Sequence, residues 1–170
     1  YGYVFGGHDG NYSNYSDEIL RFDPSNNTFT VLANYPGGGR GGGIIAYYNG
    51  KLYLGTGYDG TTYRSDFYSY DLSTNQWQVL ASHPQGIWQG HAALHPSGRI
   101  FVMGNHVTNN NTCLADFYYY DIPANAWYPI PPFPGGVRND LMGAFVNGVW
   151  YGGNGHECHA IKRDWWMFCP

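Results

Sequence analysis

The sequence predicts an all-β fold assembled from repeated four-stranded antiparallel units. Three observations carry this. A twelve-residue pattern occurs three times: Arg21-Phe-Asp-Pro-Ser-Asn-Asn-Thr-Phe-Thr-Val-Leu32, Ser69-Tyr-Asp-Leu-Ser-Thr-Asn-Gln-Trp-Gln-Val-Leu80 and Tyr119-Tyr-Asp-Ile-Pro-Ala-Asn-Ala-Trp-Tyr-Pro-Ile130, with Asp23, Asp71 and Asp121 spaced by 48 and 50 residues. A glycine marker recurs upstream in phase, at Gly6-Gly7, Gly55-Thr-Gly57, Gly104-Asn105 and Gly152-Gly153. Between these marks lie short β-prone runs and tight-turn signals, with no sustained helical period. A period near 50 with glycines and aromatics in fixed phase means a stacked or radial repeat.

Each element follows from local chemistry. In the second repeat, residues 44–48 (Ile-Ile-Ala-Tyr-Tyr) are apolar and β-prone. Asn49-Gly50 follows, a hairpin turn whose central residues both need positive φ. Residues 51–54 return and end at Gly55-Thr-Gly57. A polar loop leads to a third strand, 66–70, and a turn of Asp, Ser, Thr and Asn, 71–75, precedes a fourth, 76–80, with alternating apolar positions. The third repeat follows the same plan at 91–94, 99–103, 116–120 and 126–130, with Pro96-Ser-Gly98 as its first turn. The fourth offers 142–146, the Asn147-Gly148 turn, 149–151 and 164–168.

Four meandering strands per unit of this length make the blade of a β-propeller. The marks resemble the kelch repeat. A paired glycine ends the second strand; Phe22-Asp23, Tyr70-Asp71 and Tyr120-Asp121 end the third; Trp77 and Trp127 open the fourth, with Phe29 in the first repeat. Gly104-Asn105 departs from the double glycine, and Cys169 takes the place of the Asp in the fourth repeat. The resemblance covers essentially the whole chain and implies kelch-type blades.

One domain, residues 1–170, is expected, in blade pieces 1–32, 33–80, 81–130 and 131–170. It holds about three and a half blades, whereas propellers run to ~4–8. Part of a longer protein, a ring completed by other copies, and an open arc covered by a partner all fit this count. Bare strand edges invite pairing, which ranks an isolated arc last. No apolar run is long enough for a membrane span.

Aromatic residues make up 19% of the chain and charged residues 12%; the net charge is −4, with eight Lys plus Arg. No basic stripe exists, which argues against nucleic acid. Tyrosine-rich strands suit half-buried blade surfaces. Four glycosylation triplets begin at Asn11, Asn14, Asn26 and Asn110, all in expected loops or turns. With the low lysine content, they point to a secreted or cell-surface glycoprotein. Of the three cysteines, Cys113 and Cys158 fall in matching loops of adjacent blades, so a cross-blade disulfide is plausible. Cys158–Cys169 is the alternative, and free thiols in a cytosolic protein would serve structure alone.

Few residues suggest catalysis. Gly155-His-Glu-Cys-His159 gathers His156, Cys158 and His159, but no second cluster at metal-finger spacing supports a zinc site, and a polar loop with a disulfide cysteine fits better. No nucleophile elbow, phosphate loop or paired carboxylates occur, and His83, His91, His95 and His106 are scattered. No catalytic residue, metal or cofactor is assigned. The kelch resemblance implies that His91 serves packing. It also admits a copper-radical oxidase, whose site would need two His, two Tyr and a Cys from several blades, or another carbohydrate-active extracellular enzyme.

Binding is the default use of a propeller, whose loops cluster on a rigid support. Arg40, Trp88 and Arg138 occupy equivalent positions before the first strand of their repeats. In some kelch domains that bind acidic peptides, arginines here line the central pocket. The resemblance thus marks Arg40 and Arg138 as carboxylate anchors, with Trp88 stacking on a sugar or peptide. The competing structural role is bridging neighbouring blades. Tyr58, with Tyr63, His106 and Tyr12, would form a second aromatic face. The expectation is a non-catalytic extracellular adhesion, matrix or assembly module with a protein or glycan partner.

Overall fold

The computed structural model describes residues 1–10, 13–103, 116–157 and 160–170, and no helix occurs among them. None among the described residues is therefore long and apolar enough to cross a membrane. Strands β1 (Gly2–Phe5), β2 (Glu18–Asp23) and β3 (Thr28–Asn34) form the first sheet. Strands β4 (Ile44–Tyr48), β5 (Lys51–Gly55), β6 (Phe67–Asp71) and β7 (Gln76–Val79) form the second. The third holds β8 (His91–Leu94), β9 (Arg99–Met103), β10 (Phe117–Asp121) and β11 (Ala126–Ile130). The fourth holds β12 (Met142–Val146), β13 (Val149–Gly153) and β16 (Trp165–Phe168). All neighbours pair antiparallel in chain order, as blades do.

In the second, third and fourth sheets the sequence places the strands to within one or two residues. The third strands start one residue later than expected because Asp66 and Asp164 turn their carbonyls to Thr56 and Asn154 of the preceding loops. A small hairpin, β14 (His156–Glu157) with β15 (Ala160–Ile161), lies in the loop before β16 and was not expected. Two-residue strands are too short to show a period.

The recurring Asp-x-x-x-Asn turn has a direct physical cause. Asp71 Oδ1 accepts from the Ser73 amide at 2.9 Å and the Ser73 hydroxyl at 2.6 Å. Asp23 does the same with Ser25, and Asp121 accepts from the Ala124 amide. Four residues after each aspartate, Asn27, Asn75 and Asn125 adopt φ of 58°, 57° and 48°, left-handed conformations that Asn tolerates. Their side chains also work: Tyr70 donates to Asn75 Oδ1 at 2.9 Å, and Tyr120 to Asn125 Oδ1 at 2.6 Å. Asn125 Oδ1 further accepts from the Ala81 amide at 2.9 Å, joining the third blade to the end of the second. Burial, then the nearby Tyr53 and Asp121, pushes the Tyr120 phenol up to about 12, so it stays a neutral donor.

The core sits between blades. In β9, Ile100 and Val102 pack toward the second blade while Phe101 and Met103 pack toward the fourth. Leu52 and Leu54 of β5 face the first blade, and Tyr53 faces the third. A middle strand buried on both faces reads as a continuous apolar run rather than an alternating one. His91 of β8 lies half-buried, and burial holds its imidazole below the ordinary value.

The glycine marker is a pair of left-handed residues after the second strand: Gly6 and Gly7 (φ 64° and 119°), Thr56 and Gly57 (60° and 88°), Asn154 and Gly155 (57° and 80°). In the fourth repeat the pair is therefore Asn154-Gly155, while Gly152 and Gly153 belong to β13. The incoming linker lies against one residue of the pair: a Cβ on Gly155 would sit 2.1 Å from the Asn139 carbonyl oxygen, and one on Gly6 would sit 2.3 Å from that of Arg40.

Two outcomes follow from the turns. Replacing Asn125 by Ala leaves the buried Tyr120 hydroxyl and the Ala81 amide without their acceptor, costing about 2–3 kcal/mol in urea unfolding. Asn125→Asp, which keeps an acceptor, should recover part of the loss. Hydrogen bonds from Ser73 to Asp71 and from Ser25 to Asp23 hold both carboxyls below the ordinary aspartate value of about 3.9. The unfolded chain then binds protons first, so these groups stabilise above that value and lose their contribution as pH falls through and below it. Thermal midpoints measured from about pH 7 to pH 2 should hold above pH ~5 and then drop, and Asp71→Asn should make the drop shallower.

Candidate functional site

The pairing registers put one set of loops on one face. Ile44 lies opposite Gly55, and Gly55 opposite Phe67, so the loop after β5 and the linkers between blades emerge together. The tight turns at 49–50 and 72–75 lie at the other end of the sheet. Among the described residues, the loop-bearing face carries 6–10, 13–17, 35–43, 56–66, 80–90, 131–141, 154–157 and 160–164.

Four half-buried aromatics from three blades meet there. Tyr58 lies 5.9 Å from Tyr15, 5.1 Å from Tyr63 and 6.2 Å from Trp88, ring centre to ring centre. Trp88 and Tyr63 are 6.1 Å apart, and exposed His8 extends the row, 5.8 Å from Tyr15. The backbone holds this group: Tyr58 and Gly41 exchange amide hydrogen bonds at 2.8 and 2.9 Å, and Tyr58 also bridges to Tyr63. Asp59 closes the loop beside Tyr58, accepting from the Thr61 and Thr62 amides and from Arg64. Burial alone would raise its carboxyl, but these donors outweigh it and hold it well below the usual range. The structure thus merges two sets that the sequence kept apart, because Trp88 joins the Tyr58–Tyr63 face.

Arg40 and Arg138 have a different setting. Arg40 is 3% exposed; its Nη2 donates to both Asp66 oxygens, at 3.1 and 2.9 Å, and Tyr35 donates to Asp66 Oδ2 at 2.9 Å. The guanidinium lies 5.6 Å from the Tyr35 ring centre. Burial, and then the Asp66 charge, raises the Tyr35 phenol far above its ordinary value, so it remains a donor. Arg138, 1% exposed, repeats this with Asp164, over Phe133, and Trp166 donates to the same carboxylate at 2.7 Å. The hydrogen bond from Trp166, aided by Arg138, holds the Asp164 carboxyl low. Arg40 also borders a shallow recess with Tyr15, Gly37–Gly39 and Asp59, beside the aromatic row.

The sequence reading missed Asp66, Asp164 and Tyr15. A signal for the aspartates existed: Asp66-Phe67, Asp116-Phe117 and Asp164-Trp165 recur in phase, each one residue before a third strand. Asp116 faces no arginine, because Trp88 holds the matching linker position, and it accepts from Gln85 Nε2 at 3.0 Å instead. Tyr15 sits in a loop whose length differs from the other repeats, so phase alone could not align it.

Asn26 stands exposed in the turn between β2 and β3, its Oδ1 accepting from the Thr28 hydroxyl at 2.7 Å. Asn14 is exposed and donates to Asp9 at 2.8 Å. Asn11, Asn110, Cys113, Cys158, His159, Tyr12, His106 and Gly104-Asn105 lie outside the described residues. Cys169 is exposed and unbridged. His156 pairs with Asp140 at 2.9 Å. Among the described residues no three His, Cys, Asp or Glu side chains gather as a metal site.

Comparison with known proteins agrees with the blades. A family model described as the KLHDC2/KLHL20/DRC7 Kelch-repeats domain matches residues 2–139. No curated protein sequence matches the chain. The solved structure of YjhT superposes with a TM-score of 0.72 at 16% identity, over 98% of this chain and 64% of YjhT. The chain therefore spans less than two thirds of that structure's length, and at this identity the likeness speaks for fold alone. With the family match over residues 2–139 and blades built as described, the chain belongs to the kelch-repeat family.

Proposed function

We propose that this chain is a non-catalytic extracellular binding module, an adhesion, matrix or assembly component, whose contact surface is the aromatic row on the loop-bearing face. Kelch propellers in general serve as protein-binding modules, and membership of that family supports the broad reading. One observation carries the site: Tyr15, Tyr58, Tyr63 and Trp88 come from three successive blades and form one half-exposed aromatic surface. Rigid aromatics give large contact area at low entropy cost and anchor both protein and carbohydrate partners. Tyr58 and Trp88 are the contact residues in this reading. Arg40 acts as a positioning residue, because its buried ion pair with Asp66 fixes the linker whose Gly41 exchanges amide hydrogen bonds with Tyr58; Arg138 pairs with Asp164 in the same way, on a linker that carries none of the row. The exposed Asn14 and Asn26 triplets support the extracellular setting.

Two measurements check this. Wild-type protein screened against immobilised oligosaccharides and cell-surface protein extracts should yield a partner that Trp88→Ala and Tyr58→Ala each bind about tenfold more weakly, with unchanged circular dichroism. Retained affinity in both variants would remove the aromatic row as the site. Protein secreted from a eukaryotic host should lose mass on treatment with an N-glycosidase, and Asn26→Gln should shrink that loss by one glycan. Secreted protein whose mass the enzyme leaves unchanged argues against the glycoprotein reading.

A further inference from the structure

Two ion pairs and a group of tilted rings restrict what the loop-bearing face can hold. Arg40 is paired with Asp66, and Arg64 with Asp59, next to the aromatic row. The two cations and two anions cancel. Both carboxylates have further donors: Asp59 accepts from the Thr61 and Thr62 amides, and Asp66 from the Tyr35 hydroxyl. An ionised ligand, acidic or basic, meets no net charge here, and drawing either arginine away would leave a carboxylate unpaired. The charge balance favours an uncharged occupant.

The rings restrict its shape. Tyr58 stands 5.9 Å from Tyr15, 5.1 Å from Tyr63 and 6.2 Å from Trp88, centre to centre. A guest sandwiched between two rings would hold their centres about 7 Å apart, two contacts of roughly 3.5–4 Å. These pairs leave no such gap, so the occupant lies over the rings and a cation cage is excluded. The planes differ by 85° between Tyr15 and Tyr58, 42° between Tyr58 and Tyr63, and 54° between Tyr58 and Trp88. Tilted rings in contact form ridges and furrows, not a platform. A sugar ring stacks flat on an open aromatic face, whereas these half-buried rings cover parts of one another's faces. A pyrrolidine ring is smaller and enters a furrow edge-on.

The floor beside the row is bare main chain. Gly38 borders the recess next to Tyr15 with φ 83°, and no atom lies within 4 Å of where its Cβ would stand. A second backbone can approach closely there. Arg64, 48% exposed, uses Nε and Nη2 on Asp59, which leaves Nη1 as a donor for a carbonyl.

We propose that the aromatic row takes an uncharged, proline-rich segment of a partner protein in the polyproline II conformation. This rests on the row being the contact surface, as proposed above, and names its occupant. Polyproline II has no internal hydrogen bonds, so its carbonyls stay open to a donor such as Arg64. Its shape is preformed, and aromatic-lined grooves bind it at low entropic cost. One turn of three residues advances about 9 Å. Steps of 5.8, 5.9 and 6.2 Å from His8 through Tyr15 and Tyr58 to Trp88 give the row that length.

The test titrates fluorescein-labelled decaproline into the 170-residue protein and reads anisotropy, with a flexible glycine-serine decapeptide as control. Saturable binding of decaproline alone is expected. Trp88→Ala and Tyr58→Ala should each weaken it about tenfold, and Trp88→Phe, which keeps a ring, should recover part of the loss. Two aspartates or two lysines added to decaproline should tighten binding by less than about threefold. Absent decaproline binding, equal binding of the control, affinity that survives both alanine variants, or a charged peptide bound about tenfold tighter overturns the proposal. If a glycan or folded protein loses affinity for Trp88→Ala while decaproline does not bind, the row remains the contact surface and only its proline-rich occupant falls. Should an alanine variant fail to fold, decaproline against the flexible control on wild-type protein still decides.

Discussion

A single blade cannot bury both faces of its sheet, and the rest of the structure depends on that. Strand β9 sends Ile100 and Val102 one way and Phe101 and Met103 the other, so it is satisfied only between two neighbours. Full burial of a large apolar side chain is worth roughly 1.5–3 kcal/mol, and β9 offers four of them. Each linker between blades must therefore bring the next sheet into contact at a set distance. Tyr35, His83 and Phe133 do this by ending one blade's path inside the core shared with the next. The fourth sheet shows the same need from the other side: Met142, Val146, Trp165 and Met167 stand exposed on it.

The site inherits its rigidity from that arrangement. Five residues beyond Tyr35, the same linker carries Arg40; five beyond His83, it carries Trp88. Burying a guanidinium is costly unless it is paired, and breaking such a pair by removing one partner typically costs about 3–5 kcal/mol. Arg40 meets that demand with Asp66, at the head of β6, and so ties linker to sheet. Gly41, the next residue, is then placed to exchange amide hydrogen bonds with Tyr58. The chain of constraint runs from core to linker to ion pair to the aromatic loop.

Fold was more legible in the sequence than function, for a physical reason. Turns and strands are local: the Asp71 carboxylate reaches amides two and three residues on, and the run Arg99-Ile-Phe-Val-Met103 states a doubly buried strand. The aromatic surface is not local. Tyr15, Tyr58 and Trp88 lie in three different repeats, and only the blade-to-blade rotation brings them together. Phase alignment correctly grouped Arg40, Trp88 and Arg138 as equivalent positions, but equivalence of position says nothing about burial. The arginines' carboxylate partners lie twenty-six residues downstream, a distance at which spacing carries no contact information.

Trp88 is where the chain departs from its own rule. Two linkers spend this position on a buried arginine paired with the aspartate before the third strand. In the middle one, the arginine is replaced by an indole that stays half-exposed, and Asp116 turns to Gln85. The exchange gives up an ion pair that anchors the linkers on either side. In return it places the largest apolar ring against Tyr58 and Tyr63, where its exposed surface adds nothing to the blade core. A repeat that breaks its internal pattern at a solvent-facing position, toward a residue type enriched in binding hot spots, does so at the expense of packing consistency. Such a break fits the contact role proposed for Trp88, and it falls at the end of the aromatic row opposite His8, beside Tyr58 and Tyr63.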